Sequence, residues 1–338
     1  MMKIGVVGAG AIGCYVGGAL AAAGVDVVFV GRDRVKSEVD ASGLTLTDLD
    51  GKTMRVVKDR IAFETKASAL TEREIVLCCV KSAHSGEVGA DLARTVARGT
   101  VVVSMQNGVR NADVLREHLR DHVVLGGIVG FNVVPQGGGT FRRATTGPLV
   151  IEASDDARVT TLAGMLATSG FEVELAHDIR AHQWSKLIMN LNNAIGALTD
   201  APTKDLIFVA ELRRILAAII KEALAVMKKA GVKPAKLGKI PVHFFPFMLG
   251  LPTGVLRVVA RAQVKIDPEA RSSMWEDLSK RRLTEVDYLN GEIVRLAESC
   301  GAAAPLNRRI VDIVHEVEKE GRGSPKLSAD ALWRRLTD

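Results

Sequence analysis

The chain has 338 residues, more than one hydrophobic core ordinarily organises, so two domains are expected. With 47% hydrophobic and 25% charged residues it is globular in composition, without low-complexity segments or internal repeats. Its 45 basic and 39 acidic residues, net +6, are spread along the chain, which argues against a nucleic-acid partner and suits an enzyme with anionic ligands.

In chain order, Lys3 to Val7 is a short apolar run followed by glycines, Ala11 to Ala23 has the character of a helix, and Val25 to Val30 is a β-branched run. This is a βαβ unit. The nearly uncharged stretch Ile4 to Val30 could pass for a signal or membrane segment, but its glycines and Asp26 fit a strand, turn and helix better. Leu44 to Val57 alternates around Asp50-Gly51, a hairpin signal. Apolar runs at Ile75 to Val80, Val101 to Met105 and Val123 to Val129 are separated by helical segments at Gly86 to Val96 and Ala112 to Leu119, which implies a parallel sheet covered by helices. Gly137 to Gly139 marks a second loop or hairpin, and Phe171 to Leu175 a last apolar run.

From Ile179 the pattern turns helical: Ile179 to Leu198, Asp205 to Ala230, Ser272 to Cys300 and Leu306 to Lys319 are expected as helices. The expected fold is α/β, with an N-terminal Rossmann-type parallel-sheet domain (1–176, dinucleotide-binding) and an all-helical C-terminal domain (177–338, substrate and catalysis), divided near His177. The run Ile240 to Val259, interrupted by Pro241, Pro246, Pro252 and Gly254, suits an internal core or a subunit interface, which would make the protein a homodimer, and does not suit a membrane span. Cys14, Cys78, Cys79 and Cys300 form no CxxC pair, and the seven histidines lack metal-ligand spacing, so no metal site and a reducing, cytoplasmic setting are expected.

Gly8-Ala9-Gly10-Ala11-Ile12-Gly13 follows the first strand and opens the first helix. In that context Gly8 permits a tight turn, Gly10 lets backbone approach a pyrophosphate, and Gly13 lets helix pack on strand, while the helix N-terminus attracts the anion. The second strand ends Val30-Gly31-Arg32. Asp33 is the residue that would serve the ribose hydroxyl of NAD; Arg32, with Arg34 and Lys36 nearby, suits a 2′-phosphate and favours NADPH/NADP⁺. Lys81 and Asn107 follow later strands at the C-terminal edge, where ligands of open α/β sheets bind; Asn107 is placed to meet cofactor and substrate together.

Lys186, Asn190 and Asn193 stand at i, i+4, i+7 and share one helical face, with Leu187, Ile188 and Leu191 around them. A solvated face is one explanation. The other is a lysine in a partly buried groove, its pKa lowered enough to protonate the alkoxide formed when hydride reaches a ketone.

The hexapeptide at Gly8, Val80-Lys81, Gln106-Asn107-Gly108, Trp184-x-Lys186-x-x-x-Asn190, Ser272-Ser273-Met274 and Thr284-Glu285-Val286-Asp287-Tyr288-Leu289-Asn290-Gly291 occur in order across nearly the whole chain. In these the chain resembles the ketopantoate reductases. The resemblance implies NADPH-dependent reduction of a small 2-keto acid, 2-dehydropantoate, to pantoate, a step of pantothenate biosynthesis. It implies Lys186 as proton donor, Asn190 and Asn193 as substrate-binding amides, Ser273 as a residue holding the substrate, and Glu285 as one reaching the nicotinamide-ribose end. Along an unbroken helix Ser273 and Glu285 would stand roughly 18 Å apart, which suits separate duties; alternatively Glu285 pairs with Arg281 at i−4. Two positions depart from the family pattern: Asn193 follows Asn190 one residue early, and Thr203 follows Pro202 where asparagine is usual.

Overall fold

The computed structural model describes residues 2–236, 240–256 and 270–338. They form two compact units, Met1–Arg180 and Ala181–Asp338.

The N-terminal unit holds twelve strands: β1 (Lys3–Val7), β2 (Asp26–Val30), β3 (Leu44–Thr47), β4 (Thr53–Val56), β5 (Ala62–Glu64), β6 (Ile75–Cys78), β7 (Val101–Ser104), β8 (Val123–Val129), β9 (Val133–Gly137), β10 (Thr140–Arg143), β11 (Leu149–Glu152) and β12 (Val173–Ala176). Eight of them make one sheet in the order β12-β11-β8-β7-β6-β1-β2-β5. Every neighbouring pair is parallel except β8–β11. The central strands β6 and β7 are buried along their whole length, which is why they run as continuous apolar segments. The helices are α1 (Ala11–Ala22), α2 (Asp33–Ser42), α3 (Ser85–Thr95), α4 (Asn111–His118) and α5 (Ala157–Thr168).

The expected hairpin at Asp50-Gly51 forms, and Gly137 to Gly139, expected as a loop or hairpin, make a second. Asp50-Gly51 turns β3 into β4, with Gly51 at φ 82°, and Gly137 to Gly139 turn β9 into β10. The two hairpins join through a parallel pairing of β3 with β10, making a second sheet in the order β4-β3-β10-β9 that packs on α1. The Tyr15 ring of α1 lies 5.9 Å from that of Phe131 and 6.2 Å from that of Phe171.

The C-terminal unit is helical: α6 (Ile179–Asn190, beginning just before the unit boundary), α7 (Asn192–Thr199), α8 (Asp205–Phe208), α9 (Ala210–Lys229), α10 (Phe245–Leu249), α11 (Ser273–Ser279), α12 (Asn290–Ser299), α13 (Pro305–Glu320) and α14 (Ala329–Thr337). Two expected helices are corrected. Asp205 to Ala230 is broken at Val209, whose extended backbone (φ −86°, ψ 119°) separates α8 from α9. Ser272 to Cys300 is broken after Ser279, where Arg281 takes a left-handed conformation (φ 52°) and a loop and a short 3₁₀ turn precede α12. The spacing along an unbroken helix therefore does not apply to Ser273 and Glu285, nor does the helical i−4 pairing of Glu285 with Arg281. The part of the Ile240–Val259 run beyond residue 256 lies outside the described residues. No described helix is long and apolar enough to cross a membrane.

Candidate active site

In the N-terminal unit the site residues gather along one row of the sheet. The register pairs Val30 with Val7, Val7 with Cys78 and Cys78 with Ser104, so four strands end side by side at their C-terminal edge. Arg32, Gly8, Lys81 and Asn107 stand one to three residues beyond these positions. With strands about 4.8 Å apart, the row from β2 to β7 is roughly 14 Å wide.

The glycine turn is built as its sequence implies. Gly8 has φ 86°, and a Cβ there would stand 2.5 Å from the backbone nitrogen of Val80. At Gly13 a Cβ would meet the Gly8 carbonyl oxygen at 2.6 Å and the Val6 side chain at 3.0 Å, so only glycine lets α1 lie this close to β1. Gly10 is different: it is exposed, and a Cβ there would come no nearer than 4.0 Å to any of its surroundings. The Gly8 and Ala9 amides are held on the Val30 carbonyl at 2.9 and 3.0 Å, which ties the turn to the end of β2. Ala11 and Ile12 are half-buried. Helix α1 starts with neither a side-chain cap nor an acidic residue in its first turn, leaving amide donors and a partial positive charge for an anion. Open space beside Gly10, where a side chain would block approach, fits a dinucleotide pyrophosphate.

Arg32 is the N-cap residue of α2 and is exposed. Its basic neighbours are engaged within the helix, Arg34 with Glu38 and Lys36 with Asp40. Arg32 itself forms no ion pair with any described residue, which leaves its guanidinium for a ligand.

Lys81 precedes a 3₁₀ turn (Ser82–His84), and Asn107 precedes Gly108 at φ 89°; both are half-buried.

In the C-terminal unit Lys186 and Asn190 lie on α6 and Asn193 on α7. Leu191 separates the two helices only nominally, since its amide still donates to the Leu187 carbonyl at 3.1 Å and its backbone is right-handed helical. The three polar residues therefore keep one face, all half-buried, backed by Leu187, Ile188 and Leu191, each at most 1% exposed. Lys186 has no hydrogen-bond or ion-pair partner among the described residues. Removal from water, with no anion to compensate, pulls its pKa from 10.5 down to about 8.

Ser273 opens α11 and is exposed. Its neighbour Ser272, which sequence reasoning did not single out, is buried and does two jobs: its hydroxyl caps α11 by accepting from the Trp275 amide at 3.2 Å, and it donates to the Asn193 carbonyl at 3.1 Å. This bond fixes the start of α11 against α7. A serine as the first residue of the expected helical run was the available signal. Asp200, left-handed at φ 58°, reinforces the same junction by accepting from Trp275 Nε1 at 2.7 Å and pairing with Arg271 at 2.6 Å.

Glu285 is half-buried and stands at the start of the 3₁₀ turn. Asn290 of the same motif has a structural duty. Asn290, fully buried, donates to Asn307 Oδ1 at 3.1 Å, and Asn307 Nδ2 donates to Glu222 at 2.8 Å. The Glu222 carboxylate also accepts the backbone amides of Leu306 and Asn307, both at 2.9 Å, capping α13. Among the described residues no cluster of three or more His, Cys, Asp or Glu is placed to hold a metal.

The chain matches the family models "Ketopantoate reductase PanE/ApbA" over residues 4–156 and "Ketopantoate reductase PanE/ApbA C terminal" over 178–318. It is 29% identical to the 2-dehydropantoate 2-reductase of Halobacterium salinarum, covering 95% of this chain and 100% of that protein. A relative of the same name from Archaeoglobus fulgidus is 27% identical, over 94% and 98% of the two chains. Among solved structures, the PanE/ApbA family ketopantoate reductase from Ralstonia eutropha superposes with a TM-score of 0.80 at 30% identity, covering 95% of this chain and 100% of that one. A D-mandelate dehydrogenase shares the fold, with a TM-score of 0.74 at 21% identity over 95% and 99% of the two chains. The glycine cradle, the desolvated lysine and these matches along both units lead to one assignment: the chain is an oxidoreductase of the ketopantoate reductase family.

Proposed function

We propose that this protein reduces the C2 carbonyl of 2-dehydropantoate with NADPH, giving pantoate. The observation that carries this reading is Lys186: half-buried, without a partner among the described residues, at a pKa of about 8 and in line with Asn190 and Asn193. A cationic lysine with no anion beside it among the described residues is an unfavourable thing to bury, and the reaction supplies the reason for it.

The N-terminal unit is the dinucleotide-binding half. Gly8 to Gly13 and the start of α1 hold the pyrophosphate, Arg32 pairs with the 2′-phosphate, and Lys81, Asn107 and Glu285 attend the nicotinamide-ribose end. When bound, the cofactor would supply a hydride to C2. As charge builds on the carbonyl oxygen, Lys186 Nζ donates its proton there and becomes a neutral amine, so that C=O becomes CH–OH. Asn190, Asn193 and Ser273 orient the acid, and Asn107 bonds to cofactor and substrate alike. With a pKa near 8, the lysine is largely protonated at neutral pH yet acidic enough to give its proton up.

The test is NADPH oxidation, followed by absorbance, with 2-dehydropantoate beside NADH and a panel of other 2-keto acids. Preferential turnover of 2-dehydropantoate with NADPH is the expected result. Activity restricted to another keto acid, as the asparagine register and Thr203 would permit, would replace the substrate. No turnover of any would sink the reading.

A further inference from the structure

Lys81 and Asn107 leave neighbouring strands three residues beyond the Cys78–Ser104 register pair. Behind them lies a buried hydrogen-bonded cluster with no part in the scheme above. The Ser104 hydroxyl donates to Gln106 Oε1 at 2.9 Å, and Gln106 Nε2 donates to Ser85 Oγ at 2.8 Å. Ser85 Oγ lies 2.9 Å from Asn111 Oδ1 and 2.9 Å from the Ser82 carbonyl oxygen. Asn111 Nδ2 donates to Ser82 Oγ at 3.1 Å and to the Asn107 carbonyl at 2.5 Å, and Ser82 Oγ donates to that same carbonyl at 3.2 Å. None of the five side chains is more than 8% exposed.

Helix capping does not account for this cluster. Ser85 and Asn111 sit at the starts of α3 and α4, yet neither helix has a side-chain cap. Their polar atoms point at each other and at the main chain of the two loops. Polar side chains in so dry a place are tolerated when all are bonded, and then specify one arrangement where apolar packing would allow several. What this arrangement specifies is the Asn107 carbonyl and the turn that follows Lys81.

We propose that Gln106 and Asn111 are positioning residues for hydride transfer, acting through Asn107 and the loop after Lys81. The proposal rests on the reading of this site as that of a nicotinamide-dependent keto-acid reductase. Hydride transfer is sensitive to displacements of about 1 Å, which can cost on the order of 100-fold in rate, whereas in the proposed reading the phosphates of the dinucleotide are held by the glycine turn and Arg32.

The test uses the full-length enzyme in single turnovers: NADPH-bound protein mixed with saturating 2-dehydropantoate in a stopped flow. The rate constant reports alignment, and the amplitude reports the fraction of folded, active protein. Asn111→Leu, close in size, deletes both donors, and Gln106→Met deletes the link from Ser104 to Ser85. Both should lower the rate constant about 10- to 100-fold with amplitude and NADPH Kd nearly unchanged. Ser85→Ala is the milder variant, should Asn111→Leu not fold, and should show the same effect on a smaller scale. A loss of amplitude at an unchanged rate constant would mark the cluster as scaffold only and overturn the proposal, as would wild-type kinetics throughout. Failure of the wild-type enzyme to turn over any keto acid would overturn the functional reading and this proposal together.

Discussion

Replacing Lys186 with methionine should make the protein more stable and nearly inactive. A pKa drawn from 10.5 to about 8 corresponds to about 3 kcal/mol of lost solvation of the ammonium. Because the side chain is only half-buried, water screens part of this, leaving about 1–3 kcal/mol. The sign follows from proton linkage. Below pH 8 the lysine is charged in the folded and unfolded chains, and the fold bears the full cost. As pH rises from about 8 towards 10.5 the folded form sheds its proton first, and the cost fades. Lys186→Met at pH 7 should therefore melt a few degrees above wild type, and the gap should close near pH 10.5. Turnover should fall at least about 100-fold, the usual contribution of a general acid, with NADPH affinity nearly intact. Calorimetry at pH 7 and 10, beside steady-state rates, measures both. In the wild type the rate of reduction should fall as pH rises through about 8, where the donor loses its proton. A variant that melts lower at pH 7, or keeps its turnover within ten-fold, would refute the argument that this lysine is held desolvated in order to donate a proton.

Arg32→Ser should weaken NADPH about 10- to 100-fold, the loss of a charge-assisted contact, while leaving NADH little changed; equal losses with both cofactors would remove the 2′-phosphate from the argument. The fingerprint glycines should separate in kind. Gly10→Ala, entering open space, should lower dinucleotide affinity without lowering the melting temperature, whereas Gly13→Ala, colliding with the Gly8 carbonyl, should lower both. Glu222→Leu, which strands the Leu306 and Asn307 amides and leaves Asn307 Nδ2 only its 3.4 Å bond to the Ile219 carbonyl, should cost about 2–4 kcal/mol of stability in a denaturant titration with KM for either substrate unchanged. A shift in KM would show that the motif around Asn290 does more than brace helices.

Much of the candidate site was legible because its residues are local. Glycines at Gly8, Gly10 and Gly13 between an apolar run and a helix carry their own geometry, and Lys186, Asn190 and Asn193 share a face by helical arithmetic alone. Ser273 shows where local reasoning stops: it and Ser272 are the same residue type, and burial distinguishes the one that bonds Asn193 from the one left exposed. The break after Ser279 was also hidden, because Lys280-Arg281-Arg282 contains neither glycine nor proline, and left-handed arginine announces nothing in a helical pattern. The serine, glutamine and asparagine cluster behind Asn107 is scattered over the end of β7, two loops and two helices, and its members meet only once β6 and β7 lie side by side.

The sequence by itself determined the Rossmann-type unit, the helical unit after it, both hairpins, the dinucleotide turn and the lysine face, since each follows from periodicity or glycine sterics within a few dozen residues. Only the tertiary structure decided that β3 pairs with β10, almost a hundred residues away, and that Arg32 is left without an ion pair among the described residues while Arg34 and Lys36 are engaged. It alone decided that Lys186 is desolvated. Strand pairing at a distance, burial and the proton affinity that follows from it belong to the packed chain, because they depend on which surfaces exclude water, and no local pattern records that.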